Sequence, residues 1–158
     1  MNDAVACFNN GFNCAQAILS TYCKEYGLDE KTALQIACGF GAGMGRLQET
    51  CGAVSGAYLL IGLKHGQYLK DDEASKEKTY AMVQKFAQLF VAKNKTTNCR
   101  ELLGVDLISG DKQAVTERVR DICPRMVRDA AEILESMMSQ TCNICYQPGG
   151  KQGATSVL

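Results

Sequence analysis

Apolar residues recur every three or four positions along most of this chain, a spacing that places them on one face of an α-helix. Residues 71–92 show the pattern most clearly, and residues 124–138 repeat it. The two predicted buried stripes are Tyr80, Val83, Phe86, Ala87 and Phe90, and Val127, Ala130, Leu134 and Met137 or Met138. No segment of four or more residues alternates apolar and polar positions with the two-residue period of a strand. We therefore predict an all-α, single-domain helical bundle of about five to seven helices.

Capping residues and glycines predict where the helices begin and end. Asn13 and Asp29 suit N-caps because their side chains accept hydrogen bonds from free backbone N–H groups, and Gly27 suits a helix end. Cys123 and Pro124 are predicted to open the last long helix, since proline is tolerated at the first helical position. The strongest break in the pattern is a glycine-rich loop that contains Gly39, Gly41, Gly43 and Gly45.

Gly52 and Gly56 lie in a strongly apolar segment whose helix is predicted to begin at Thr50 or Cys51. Two glycines at this spacing share one helix face and let another backbone come close. Such a face would suit packing within the chain, and it would also suit a homodimer.

The charge balance excludes several classes of partner. The chain has 158 residues, with 17 basic and 17 acidic side chains and a single His65, so neither a nucleic acid nor an acidic membrane surface is indicated. Residues 53–63 form the most apolar run, about half the roughly 20 residues of a membrane-spanning helix. No signal-peptide pattern follows Met1, and we expect a cytoplasmic protein. We also expect one domain over residues 1–141 and a flexible tail over residues 142–158.

Nine cysteines are many for a chain of this length. An odd count without an export signal favours reduced thiols, metal ligands or redox pairs over a disulfide framework. The start of a helix stabilises an anion through its free N–H groups and the helix dipole, so a thiolate there is expected to have a lowered pKa. Four cysteines are predicted at or beside helix starts: Cys14, Cys51, Cys99 and Cys123.

Cys38 differs because it directly precedes the glycine-rich loop. The loop is expected to bring the Cys38 and Cys51 thiols together. Gly41 and Gly43 permit positive φ angles and leave N–H groups free to bind sulfur, cluster sulfide or an anionic ligand. No strand precedes the loop and no Lys-Ser/Thr pair ends it, so a nucleotide-binding loop is disfavoured. A plain connection between two helices is the alternative.

The remaining cysteines divide into two groups. Cys142 and Cys145 form the single C-x-x-C spacing, which suits a dithiol or half of a metal site. Cys7 and Cys23 fall among apolar helical positions and are predicted core residues.

Charged residues flank the cysteine motifs at Arg46, Glu49 and Glu101. They would tune the charge of a thiolate or bind a substrate, or they are ordinary solvated surface charges.

Taken together, several motifs resemble the C_GCAxxG_C_C family over roughly residues 5–138. The motifs are Asn13-Cys14-Ala15-Gln16-Ala17, Cys38-Gly39-Phe40-Gly41, Glu49-Thr50-Cys51-Gly52-Ala53-Val54-Ser55-Gly56, Ile61-Gly62-Leu63-Lys64-His65-Gly66, Cys99-Arg100-Glu101-Leu102-Leu103-Gly104 and Cys123-Pro124. The resemblance implies a small helical protein whose five matching cysteines serve redox or metal chemistry, with no defined substrate. The central motif here is a variant, because Cys51 is followed by Gly-Ala-Val-Ser-Gly.

Three functions remain open at this point. In the first, Cys38, Cys51, Cys99 and Cys123 bind an iron–sulfur cluster or another soft metal, with Cys14, Gly41 and Gly43 beside it, and electrons pass to an unidentified redox partner. In the second, the chain is a metal-free thiol–disulfide oxidoreductase with Cys38 and Cys51 as the catalytic pair. In the third, it is a non-catalytic helical interaction module with structural cysteines, in which the glycine face of the Gly52 helix is the interface.

Overall fold

The computed structural model describes residues 2–140, and the predicted tail with Cys142 and Cys145 lies outside the described residues. Seven helices are right-handed throughout: α1 (Asn2–Asn9), α2 (Cys14–Tyr22), α3 (Glu30–Cys38), α4 (Gly52–His65), α5 (Glu73–Asn94), α6 (Cys99–Leu103) and α7 (Lys112–Gln140). Residues 2–140 contain no strand, and a single isolated antiparallel bridge joins Thr50 to Asn98. The prediction of an all-α, single-domain bundle is confirmed.

Local sequence explains most helix boundaries. Asn13 caps α2 with a reciprocal pair of hydrogen bonds, in which its side chain accepts from the Gln16 N–H and the Gln16 side chain accepts from the Asn13 N–H. Asp29 caps α3 by accepting from the Thr32 N–H. Helix α2 ends at Tyr22, earlier than predicted, and a short 3₁₀ helix, Cys23–Tyr26, continues to Gly27.

Helix α4 forms the centre of the core, and its glycine face is closed by α2. A β-carbon on Gly56 would lie 2.9 Å from the Ala15 carbonyl oxygen, and one on Gly52 would lie 3.1 Å from the Ala15 nitrogen. Glycine is therefore required at both positions for the two helices to pack this closely. The predicted close approach is confirmed, and its partner is α2 of the same chain, which covers this face; a homodimer stays a prediction.

Helix α7 runs without interruption through Pro124, so the prediction that Cys123 and Pro124 open a helix is wrong. An interior proline costs about 3 kcal/mol and leaves one carbonyl of the preceding turn without its usual partner. Apolar burial along α7 outweighs that cost, because Ile122, Met126 and Val127 on either side of the proline are all buried. No helix in the described part of the chain is both long and apolar enough to cross a membrane.

Candidate functional site

A cavity of about 480 Å³ lies where the start of α2, the glycine-rich loop, α6 and the middle of α7 meet. Four of the seven cysteines in residues 2–140 line it: Cys14, Cys51, Cys99 and Cys123. The fifth predicted residue, Cys38, is exposed at the end of α3 and does not line the cavity. The structure thus brings together four of the five thiols, and a pairing of Cys38 with Cys51 stays a prediction.

Cys14 is placed by the packing of α2 on α4. It is the first residue of α2, directly after the Asn13 cap. A β-carbon on Gly52 would lie 3.1 Å from the Cys14 β-carbon, so the missing side chain at Gly52 makes room for this thiol. Cys51 is the residue before Gly52, and the same contact therefore sets Cys14 and Cys51 against one wall of the cavity.

Cys51 and Cys99 are held beside each other by the short antiparallel bridge. The Cys51 N–H donates to the Thr97 carbonyl at 2.8 Å, and the Cys99 N–H donates to the Glu49 carbonyl at 2.6 Å. Both cysteines neighbour the paired residues Thr50 and Asn98. Because side chains alternate along extended segments, the Cys51 and Cys99 thiols point to the same side of this pairing.

The glycine-rich loop contains a left-handed helical turn. From Ala42 to Arg46 five consecutive residues have positive φ angles, of 53°, 67°, 65°, 62° and 71°. The turn is closed by the Gly45 N–H, which donates to the Gly41 carbonyl at 2.9 Å. Each non-glycine residue in this conformation costs roughly 1–2 kcal/mol, and strain of this kind persists only where the surroundings impose it.

Close packing imposes the left-handed turn. A β-carbon on Gly43 would lie 2.6 Å from the Cys99 β-carbon and 2.7 Å from the Gln48 Cα, and one on Gly41 would overlap the Asn13 side chain. Gly43 also lines the cavity, whereas Gly41 is buried beneath Asn13 and does not line it. Gly43 therefore lets Cys99 pack against the turn, and Gly41 makes room for the Asn13 side chain. The role of both glycines as cofactor ligands stays a prediction.

Gln48 is a site residue that the sequence did not reveal. Its side chain is 1% exposed; it donates to the Val105 carbonyl at 2.7 Å and accepts from the Leu107 N–H at 2.9 Å. These two bonds fix the loop after α6, so that Leu107 lines the cavity. Gln48 belongs to no periodic pattern or motif, so the sequence does not indicate these contacts.

The pKa values of the four thiols diverge. Burial raises the pKa of Cys51 to about 12 and that of Cys99 to about 11. The pKa of Cys14 is raised well above its usual range because its thiol hydrogen bonds to Cys123 and is buried. The pKa of Cys123 is lowered, because as a thiolate it accepts that hydrogen bond. The predicted lowering at helix starts is therefore wrong for Cys51 and Cys99, where loss of hydration outweighs the helix terminus, and for Cys14, where the hydrogen bond with Cys123 and then burial raise the pKa.

Within residues 2–140, no three His, Cys, Asp or Glu side chains form a group that would hold a metal ion. The predicted ligands Cys38, Cys51, Cys99 and Cys123 do not form such a group. The iron–sulfur cluster or other soft metal stays a prediction.

Comparison with known proteins gives one match. The model of a family described as "Putative redox-active protein (C_GCAxxG_C_C)" matches residues 12–137. The matched region contains all five cysteines of the predicted set and every described helix except α1 and the last turn of α7. No curated protein and no solved structure matches the chain.

Proposed function

The chain belongs to the C_GCAxxG_C_C family, and we propose that it is a thiol–disulfide oxidoreductase whose reactive pair is Cys14 and Cys123. The observation that carries this proposal is that Cys14 on α2 and Cys123 on α7 line the same cavity, and the opposite shifts of their pKa values, lowered for Cys123 and raised for Cys14, support it. A nucleophilic cysteine needs thiolate character, and a resolving cysteine beside it needs only to be within reach.

In this proposal Cys123 is the nucleophile, because its pKa is lowered and it is only partly buried. Its thiolate attacks one sulfur of a small disulfide, so that a mixed disulfide forms and the other substrate sulfur leaves as a thiolate. Cys14 then passes its proton to a departing thiolate and attacks the Cys123 sulfur. The protein ends with a Cys14–Cys123 disulfide, and the substrate ends as two thiols, one of which takes its proton from solvent. Two electrons have moved to the substrate, and a dithiol reductant restores the protein by the reverse exchange.

Cys51 and Cys99 have a different role in this proposal. Their raised pKa values keep them protonated at neutral pH, so they form a neutral wall beside the reactive pair. The seven described cysteines are all free, which fits a reducing compartment such as the cytoplasm.

An iron–sulfur protein is the second candidate, because four thiols surround one cavity. A cluster would require the four sulfurs to move closer together, because the described residues form no group of ligands for a metal ion. Protein purified without oxygen and incubated with iron and sulfide distinguishes the two candidates. Stoichiometric iron and labile sulfide would favour the cluster, whereas neither would be retained by a metal-free oxidoreductase.

The exchange reaction is tested by mixing reduced protein with excess 2,2′-dithiodipyridine and following the released pyridinethione. The assay uses a background in which Cys38, which is exposed, and Cys142 and Cys145 are replaced by serine. The fast phase should release two equivalents in this background and one when Cys14→Ser is added, in which the mixed disulfide on Cys123 persists. The fast phase should disappear in Cys123→Ser and remain in the control Cys51→Ser. A fast phase that survives in Cys123→Ser, with peptide mapping placing the label elsewhere, would contradict the proposal.

A further inference from the structure

The cavity beside the thiols has the size and the wall of a small-molecule site. Its volume of about 480 Å³ falls within the range of ligand pockets in proteins. Away from the cysteines, its wall is built mainly from apolar side chains, including Phe8, Phe12, Leu107, Val115, Val119 and Ile122. A ligand would therefore place an apolar body against this surface, because removal of apolar area from water drives its binding.

Among the described residues that line the cavity, one is charged, Arg46. Arg46 is exposed and makes no ion pair with any residue in the described part of the chain. It ends the left-handed turn, with a φ angle of 71°. An unpaired guanidinium at the opening of an apolar cavity is complementary to a carboxylate, to which it donates two parallel hydrogen bonds.

From these observations we infer that the cavity accepts a small apolar molecule with one carboxylate, in its disulfide or dithiol form, and that Arg46 binds the carboxylate. The redox part of this inference rests on the proposed function, whereas the binding part rests on the cavity and Arg46 alone. The apolar body of the substrate lies along the wall formed by α7. Because α7 also carries Cys123, the substrate sulfurs lie near the cysteines of the cavity.

Binding is tested with ligands that carry no sulfur. Octanoate and octanamide have the same chain, and they differ in the charge of the head group. We expect calorimetry to show octanoate binding roughly fivefold to tenfold more tightly than octanamide, as befits an ion pair at a partly exposed site. This preference should disappear in Arg46→Gln and largely persist in Arg46→Lys. Both variants keep a β-carbon at a position with positive φ, so the backbone cost is matched.

The redox part is tested with dihydrolipoic acid and dihydrolipoamide, a dithiol pair that differs in the same way. Each is mixed with protein that carries the Cys14–Cys123 disulfide, and the rate of its reduction is measured below saturation. We expect the acid to react fivefold to tenfold faster than the amide, and the ratio to fall to about one in Arg46→Gln.

The two tests separate two failures. If octanoate shows no preference over octanamide, or if the preference survives in Arg46→Gln, the assignment of the cavity is overturned even when both dithiols react equally well. If octanoate binds as expected and neither dithiol reacts, the proposed oxidoreductase is overturned and the binding site stands.

Discussion

Two pairs of cysteines face the same cavity, and they differ in the contacts that position them and in the pKa values of their thiols. Cys51 and Cys99 are fixed by backbone hydrogen bonds across a short bridge, and burial raises both pKa values. Cys14 and Cys123 come from two helices, and a hydrogen bond between them lowers the pKa of Cys123 and raises that of Cys14.

The difference teaches that the position of a cysteine at a helix start does not decide its reactivity. Cys14, Cys51 and Cys99 all lie at helix starts and are buried, with exposed fractions of 6%, 4% and 6%. Cys123 lies in the middle of α7, is only partly buried and has a hydrogen-bond donor. The hydration of a thiol and one hydrogen-bond donor therefore change its pKa more than a helix terminus does, whose effect is commonly below about 1 kcal/mol.

The largest expected effect on stability comes from Gly43→Ala, which disturbs the packing around the Cys51/Cys99 pair. The new β-carbon would overlap Cys99 and the Gln48 backbone at a positive φ angle, so we expect a loss of about 3 kcal/mol in the free energy of unfolding. Gly45→Ala is the matched control, since its β-carbon meets nothing closer than 3.9 Å, and it should cost only about 1 kcal/mol. Equal losses by urea denaturation would contradict the packing role of Gly43.

Gln48→Ala removes the two hydrogen bonds that tie the loop after α6 to the bridge segment. The Val105 carbonyl and the Leu107 N–H would lose their partner, which should lower the free energy of unfolding by about 2 kcal/mol. Gln113→Ala is the control, because the Gln113 side chain is exposed and donates to the Glu117 carboxylate at 3.0 Å on the helix surface; its cost should be below about 0.5 kcal/mol. A neutral Gln48→Ala would show that the loop is held by other contacts.

Cys14→Ala breaks the other pair. Without the thiol that donates to it, the Cys123 thiolate loses its main stabilisation while burial continues to oppose it, so the pKa of Cys123 should rise. The rate of Cys123 alkylation by iodoacetamide, plotted against pH, should shift to higher pH and fall roughly tenfold at pH 7. Cys51→Ala should leave the profile of Cys123 nearly unchanged. A shift of equal size in both variants would refute the pairing.

The smallest effect tests the strain in the left-handed turn beside both pairs. Ala42→Gly should raise the free energy of unfolding by about 1 kcal/mol, because glycine adopts the positive φ angle of 53° without steric cost. Ala81→Gly, on the exposed face of α5, should lower it by a similar amount. Opposite signs in thermal or urea denaturation would support strain at Ala42, and a destabilising Ala42→Gly would contradict it.

Much of the fold could be predicted from local chemistry. Asn13 and Asp29 cap helices as expected, and Gly27 and Gly104 end helical segments with positive φ angles of 76° and 68°. The glycines at 52 and 56 also indicated a close helix contact. These features depend on side chains near in sequence or on a simple spacing, and the sequence displays both directly.

The parts that could not be predicted depend on distant contacts. Pro124 suggested a helix start, but the buried residues around it continue α7 through the proline. The motif pattern selected Cys38, whereas the structure leaves it exposed and brings Cys123 to Cys14 instead. The bonds of Gln48 reach residues nearly sixty positions away. No local pattern encodes such pairings, and the balance between burial and hydrogen bonding that sets each pKa follows from them.

The central claim, that Cys14 and Cys123 form the redox pair, is tested most directly by disulfide mapping. The protein is equilibrated in buffers of graded oxidised and reduced dithiothreitol, alkylated, digested and analysed by mass spectrometry. We predict that the first disulfide to form links Cys14 to Cys123 and that it appears as a single two-electron transition. A first disulfide between Cys51 and Cys99 or one that includes Cys38, or scattered oxidation without a preferred link, would contradict the account.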